Sequence, residues 1–303
     1  MQAENENVMC AGHAKEKSFH NISGYCFCAL ESPDQVRDEL KAALEALAVL
    51  GTVLIAREGL NVALVGTADA ITAAQKHFMA DERFSKIDFK LSLSTFSPFS
   101  KLKVKTRPEI ITFGKTGIDP VEHEAERLSA TQLKEWLDKN KDFQLLDTGN
   151  NYEIESGTFE QAISLGIDNF RDLPEAIDTA LADGTLDPAQ PVVTFCTGGV
   201  RCEKAAPWLS QNGFNEVYQV DGGILRYFEN CGDAHWQGDC FVFDDRVEIT
   251  PQLEQTGAVI CRRCHKAVSQ RHQQPPDFVE NRHCPACVST QDSLRPTPGT
   301  PSP

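Results

Sequence analysis

The chain has 303 residues, roughly twice the commonest domain size, so two domains, or two and a small appendage, are expected. Its 41% apolar content suffices for packed cores, but no apolar run approaches the ~18 residues of a membrane span, which excludes a transmembrane chain. A net charge of −15, from 29 basic and 44 acidic residues, argues against a general nucleic-acid coat protein while leaving a local basic face open. The start, MQAENENVMCAGHAKEK, has no apolar h-region and reads as a disordered leader (residues 1–20), which predicts a cytoplasmic protein. In that reducing compartment the eleven cysteines are expected to be metal ligands, nucleophiles or buried thiols, not a disulfide framework.

The first element is a β-type run from Ile22 to Leu30, with Cys26 and Cys28 on one face as packing thiols or, less economically, a metal or redox pair. Ser32 and Pro33 form an N-cap and first-turn pair, and Val36, Leu40, Leu44, Leu47 and Leu50 recur at helical spacing until Gly51. Strands over Thr52 to Ala56 and Asn61 to Val65 flank Arg57-Glu58-Gly59-Leu60 as a hairpin. A second helix over Ala68 to Met79 and a strand over Ile87 to Leu93 complete βαββαβ, the ferredoxin-like order, spanning residues 21–112. Between Arg83 and Pro108 stand seven basic residues against the single acid Asp88. Lys101, Lys103, Lys105 and Arg107 alternate along an extended segment, so their cations share one face. That face is either a lysine-guarded sheet edge or a track for a phosphate backbone.

Residues 113–128, rich in Gly, Pro and charge, read as a linker. Ser129 to Gln132 fit a capping box opening a helix through Leu137. Strands at Phe143 to Asp147, Val192 to Phe195 and Val217 to Val220 then alternate with helices at Pro174 to Ala182 and Glu203 to Gln211. Such alternation implies a parallel α/β sheet over residues 129–245, with ligands at the carboxyl ends of its strands.

One strand ends directly in Cys196, followed by Thr197, Gly198, Gly199, Val200 and Arg201 and then a helix. A thiol facing a helix N-terminus favours thiolate, Gly198 and Gly199 let backbone amides curl into an anion cradle, and Arg201 adds a fixed cation. The expected product is a nucleophile able to hold a charged adduct such as a persulfide; the plain alternative is a buried cysteine before an ordinary turn. Cys202, six residues after Cys196, is a candidate resolving thiol or a packing and hydrogen-bonding group. Cys231 and Cys240, flanking His235 and Trp236, favour packing over a metal cluster.

The strand, the cysteine and the arginine separated from it by four residues resemble the active-site loop of rhodanese sulfurtransferases, as do Ile167-Asp168-Asn169-Phe170 and Val220-Asp221-Gly222-Gly223-Ile224. Cysteine phosphatase loops are similar but place five residues between Cys and Arg, room for a phosphate; this ring suits a sulfur-sized substituent. A wider set, Ala56-Arg57-Glu58-Gly59-Leu60-Asn61, Leu102-Lys103-Val104-Lys105, Asn169-Phe170-Arg171, Cys196 through Ala205 and Gly238 through Asp244, resembles the rhodanese-domain family of tRNA uridine hydroxylases, from about Gly24 to Cys287. The resemblance implies 5-hydroxylation of wobble uridine 34 in tRNA with O2 as co-substrate, and Cys196 as the active-site cysteine. It implies an electron donor that the sequence does not name, since no flavin, haem or nucleotide motif is seen, and it adds Arg171 to the candidate RNA-binding residues Lys101, Lys103, Lys105 and Arg107. Where that family has Asp-x-Arg-Asn-x-Tyr-Glu, this chain has Asp147-Thr148-Gly149-Asn150-Asn151-Tyr152-Glu153. The missing arginine is either a structural ion-pair partner or an RNA or substrate contact, for which Arg171 would compensate in part.

Near the end, Cys261-x-x-Cys264 and Cys284-x-x-Cys287 are two knuckles separated by nineteen residues, a spacing that fits a tetrahedral four-thiolate zinc site. A closed shell of this kind folds an apolar-poor segment (246–290) and does not catalyse. His265, His272 and His283 are substitute ligands, and a redox dithiol pair or an iron–sulfur site are the alternatives. Arg262, Arg263, Lys266, Arg271 and Arg282 make this a second basic region before a disordered tail, 291–303. The leading expectation is a cytoplasmic, tRNA-modifying oxidoreductase. A persulfide or thiosulfate sulfurtransferase, and a non-catalytic RNA-binding or redox-sensing module, are its rivals.

Overall fold

The computed structural model describes residues 18–276, 278–280 and 282–287. Strands β1 (Phe19–Phe27), β2 (Leu50–Ala56), β3 (Gly59–Gly66), β4 (Lys90–Ser94) and β5 (Leu102–Thr106), with helices α1 (Pro33–Ala46) and α2 (Ala68–Met79), build the first domain. Its sheet runs β4-β1-β3-β2-β5 and is antiparallel except where β5 joins β2 in parallel. This is the expected βαββαβ sandwich with one more strand, contributed by the basic segment. Val36, Leu40 and Leu44 of α1 and Ile71, Ala74 and Phe78 of α2 bury against Ile22, Val53, Ile55, Val62 and Leu64. Cys26 and Cys28 pack against this core, as packing thiols should.

Several boundaries differ from expectation: β1 ends at Phe27, short of Leu30, and β3 begins at Gly59, ahead of Asn61. β1 begins at Phe19, inside the residues expected to be leader, because it is paired on both sides and so takes in Asn21, whose polarity hides the strand. The remainder of the expected leader up to residue 17 lies outside the described residues, as does the expected tail. α1 stops at Ala46 instead of running to Leu50: Ala48 adopts a left-handed φ of 54°, turning the chain so that Leu50 and Gly51 enter β2. β4 starts at Lys90, with Ile87 buried in the approach to it.

The second domain contains β6 (Glu126–Leu128), α3 (Ala130–Asp138), β7 (Gln144–Asp147), α4 (Asn151–Ile154), β8 (Gly157–Phe159), β9 (Ile163–Ser164), α5 (Leu173–Asp183), β10 (Val192–Phe195), α6 (Cys202–Gln211), β11 (Val217–Val220) and α7 (Gly223–Cys231). Its five-stranded sheet, β6-β11-β10-β7-β9, is parallel throughout, with apolar clusters on both faces. β6 lies in the segment expected to be linker; three residues paired to β11 carry too little pattern to betray a strand. Ser129 and Gln132 form the reciprocal cap expected of them at α3. Small antiparallel pairs follow: β12 (Trp236–Gly238) on β8, β13 (Cys240–Phe241) with β14 (Glu248–Ile249), and β15 (Val259–Ile260) with β16 (Ala267–Val268). Among the described residues no helix is long and apolar enough to cross a membrane.

Both helices of the first domain cover one face of its sheet. The other face carries Asn21, Ser23, Tyr25, Thr52 and Asn61 and turns toward the carboxyl ends of the parallel strands. Four contacts between side chains fasten the two domains there. Tyr25 donates to Glu203 Oε1 (2.7 Å), Lys204 Nζ reaches Glu58 Oε1 (2.8 Å), Arg226 pairs with Asp88 (2.5 Å) and Arg246 donates to Ser92 Oγ (2.7 Å).

Candidate active site

β10 is central in the parallel sheet and delivers Cys196 to its carboxyl end, where the chain must turn into α6. The turn is compact because the opening of α7 packs against it. Ile224 N–H donates to Cys196 O (3.0 Å) and Leu225 N–H to Thr197 O (3.1 Å). Gly223 has φ +67°, and a Cβ there would lie 2.4 Å from Cys196 O, so only glycine permits this approach. Gly199 has φ +95°, and a Cβ on it would come within 2.9 Å of the Tyr25 hydroxyl.

Cys196 is 1% exposed, and its Sγ accepts a hydrogen bond from Gly199 N–H at 3.2 Å. Burial pushes its pKa up, but the Cys202 thiol, the Arg201 charge and donors from Arg201 outweigh burial and bring it down to about 5. Burial and then the neighbouring Cys196 thiolate push Cys202 well up, so Cys202 is the protonated member of the pair; its sulfur also lies 3.8 Å from Thr148 Oγ1. Cys202 is thus a buried thiol with Thr148 as its hydrogen-bonding neighbour. Of the two cradle glycines, Gly199 points its amide at the sulfur, whereas Gly198 has open space beside it and lines the cavity in front of the loop.

Arg201 is itself fixed. Its Nη1 and Nη2 meet Glu153 Oε1 (2.6 Å) and Oε2 (2.5 Å), both side chains about 5% exposed. Glu153 also accepts from Asn150 N–H (2.9 Å). Nothing in the sequence's spacing assigns this role to Glu153, although it stands last in the motif containing Gly149. Tyr25, Glu203 and Lys204 were likewise not legible as site residues, because their partners are distant in the chain: Glu203 gathers Tyr25, Arg127 (2.9 Å) and Gln219 (3.1 Å), while Lys204 gathers Glu58 and Glu109 (2.6 Å).

Gly149 faces away from the cavity. A Cβ there would stand 2.8 Å from Asp147 Oδ1, so a longer side chain would start beside that carboxyl group. Asp147 is buried, with Gly149 N–H (2.8 Å) and Thr158 Oγ1 (2.7 Å) as donors and no cation in hydrogen-bond contact among the described residues. Burial raises its pKa to about 7, against the two donors and Arg201. Because the folded value lies above the unfolded ~3.9, the stability from this group is present in full below pH ~4 and is lost as pH rises through about 7, on the order of 4 kcal/mol. Asp147→Asn is expected to flatten the fall in melting temperature between pH ~4 and about 7. Parallel wild-type and variant curves would refute it.

Between the loop and the open face of the first domain lies a cavity of about 520 Å³. Cys196, Gly198, Arg201 and Arg171 line it from one side, and Tyr25, Asn61 and Lys90 from the other. On β5, Lys103 and Lys105 stand beside Thr52 and Leu54 of β2, two further lining residues, so the exposed Lys101, Lys103, Lys105 and Arg107 extend the face that roofs the cavity. The sequence-predicted thiol, its cation, Arg171 and the basic stripe thus converge on one region.

The four terminal cysteines come together apart from it. Their sulfurs all lie within 4.8 Å of one another, with neighbours at 3.8 Å (Cys261 and Cys287), 3.6 Å (Cys264 and Cys284) and 3.8 Å (Cys284 and Cys287). Four sulfurs held ~2.3 Å from a central ion at tetrahedral angles stand about 3.8 Å apart, so this donor set fits zinc. No histidine joins the group, which sets aside His265, His272 and His283 as substitutes among the described residues. Cys231 and Cys240 pack in the apolar core of the second domain. Lys266, expected in a second basic region, is paired with Glu155 at 2.8 Å.

Residues 19–110 match the UPF0176 acylphosphatase like domain family and residues 129–230 the rhodanese-like domain family. A protein of Burkholderia lata named tRNA uridine(34) hydroxylase is 42% identical over 277 residues, covering 88% of this chain and 96% of its own. One of the same name from Cupriavidus necator is 40% identical over 277 residues, covering 90% and 97%. With identity this high across both domains and beyond them, the chain belongs to the tRNA uridine(34) hydroxylase family.

Proposed function

We propose that this chain is an O2-dependent oxidoreductase that hydroxylates C5 of uridine 34 in tRNA, one oxygen atom entering the base and the other leaving as water with two electrons and two protons from an external reductant, with the Cys196 thiolate as its reactive group. The observation that carries the reading is the position of that thiolate: it lies in the wall of a cavity within the range of small-ligand sites, under a face that runs on into four exposed cations. Lys101, Lys103, Lys105 and Arg107 would hold the anticodon-loop backbone by phosphate contacts, and Arg171 would meet the nucleotide that enters the cavity. Single-stranded loops suit such a site, because their bases can be splayed out of the stack. Arg201, fixed by Glu153, keeps Cys196 ionised beside the base. Cys202 stays protonated beside the thiolate and would form a disulfide with it when hydrogen peroxide takes up the two electrons and leaves as water and hydroxide. Cys261, Cys264, Cys284 and Cys287 would hold a structural Zn2+ with no open coordination position. The protein is expected to work in the cytoplasm, where tRNA is available.

The decisive measurement is nucleoside mass spectrometry of tRNA from a deletion strain complemented with the wild-type gene or with Cys196→Ala, grown with and without oxygen. Wild type should restore 5-hydroxyuridine aerobically and Cys196→Ala should restore none. Wild-type cells lacking 5-hydroxyuridine, or full restoration by Cys196→Ala, would overturn the proposal. Thiocyanate formation from thiosulfate and cyanide in place of the nucleoside would point to sulfur transfer.

A further inference from the structure

We propose that Phe243 is the platform on which the extruded pyrimidine stacks, so that one exposed ring supplies much of the affinity for the target base; this rests on the hydroxylase reading and names how its site takes the substrate. Phe243 is 60% exposed and lines the cavity in front of Cys196. The cavity it adjoins is lined mainly by apolar surface and holds Arg171, Arg201 and Lys90, so the ring extends an apolar wall on which a flat base can lie.

The ring is presented rigidly. Its edge meets Phe241 at 5.4 Å between centroids and 76° between planes, and Phe241 in turn meets Tyr152 at 5.0 Å and 69°. Val242 N–H donates to Val247 O (2.8 Å), and Arg246 grips Asp244 through two contacts (2.8 and 2.5 Å) while reaching Ser92 of the other domain. Little conformational entropy remains to be lost when a base arrives, which favours stacking as the source of affinity.

The position also suits the reaction. The Arg201 guanidinium carbon lies 5.8 Å from the Phe243 centroid, and Arg201 belongs to the Cys196 loop. A base stacked on the exposed part of this ring therefore lies next to the loop that carries Cys196. Every base has a π-face, so stacking alone is indifferent to sequence. Discrimination of uracil, with its O4 and O2 acceptors and N3–H donor, falls to polar groups that share the cavity, Arg171, Asn61 and Asn169.

The test uses the full chain and two anticodon stem-loop RNAs, one with uridine at position 34 and one abasic there. Phe243→Ala should bind the uridine RNA about 10-fold more weakly while binding the abasic RNA as wild type does. Phe243→Trp should restore the affinity, and its added fluorescence should be quenched by the uridine RNA and not by the abasic one. An equal loss for both RNAs, or no loss, overturns the stacking proposal. If wild type makes 5-hydroxyuridine and Phe243→Ala binds normally, stacking falls alone. If no 5-hydroxyuridine forms yet binding still depends on Phe243 and the base, stacking stands and the hydroxylase reading falls.

Discussion

Glu153→Gln is expected to lower stability by about 3–5 kcal/mol, the usual effect of removing one partner from a buried ion pair. The substitution keeps the size and the bond to Asn150 N–H but leaves the Arg201 guanidinium uncompensated where only 5% of its side chain meets water. For a cooperative unit of this size that corresponds to a drop of roughly 10 °C in melting temperature. Arg201→Met removes the other charge and should also raise the Cys196 pKa, since the nearest cation is gone. The double variant should lose less stability than the two singles together, because each single strands a charge that the double does not. Thermal unfolding of all four proteins, with the pH profile of Cys196 alkylation, checks both parts. Strict additivity would show that the pair is not coupled.

Cys264→Ser or Cys287→Ser is expected to abolish tight binding of one zinc per chain and to unfold the terminal segment while sparing the two domains. The segment's own core comprises Cys261, Val268, Cys284 and Cys287 with Val259, Cys264 and Phe278 beside them, too little apolar surface to order the chain without a cross-link. Metal binding of about 10 kcal/mol or more would then be its folding energy. Native mass spectrometry should find one zinc in wild type and none in either variant. Hydrogen exchange should lose protection over residues 258–287 alone. Protection that survives the loss of metal would show that the segment folds by packing.

The parallel sheet was legible from Val192–Phe195 and Val217–Val220 because short buried strands between amphipathic helices leave few other folds, and both strands stand where their pattern puts them. Cys196, Arg201 and the four terminal thiols were legible because loop chemistry and knuckle chelation are local in sequence. What was hidden depends on contacts at long separation. Glu153 acquires its meaning only when α4 packs under a loop some fifty residues later, and Tyr25 only when the other domain's Glu203 arrives. Phe243 stood in the sequence only as part of the Gly238 through Asp244 motif, and its exposure comes with a turn in which Arg246 holds Asp244. The ends of β1 and α1 slipped because Asn21 and Leu50 each carry a side chain suited to the neighbouring environment.

The opening turn of α6 bears on whether the parts of this protein can be dealt out separately. Cys202, Glu203 and Lys204 are consecutive and buried, yet they answer to the reactive loop, to Tyr25 and to Glu58 respectively. A lineage that shed the first domain would uncover a carboxylate and an ammonium shaped for absent partners, and would open the roof over the thiolate at the same moment. On the proposed reading the thiol loop and the first domain's face above it are inherited together, and a change on either side of the interface is read out through the chemistry at Cys196.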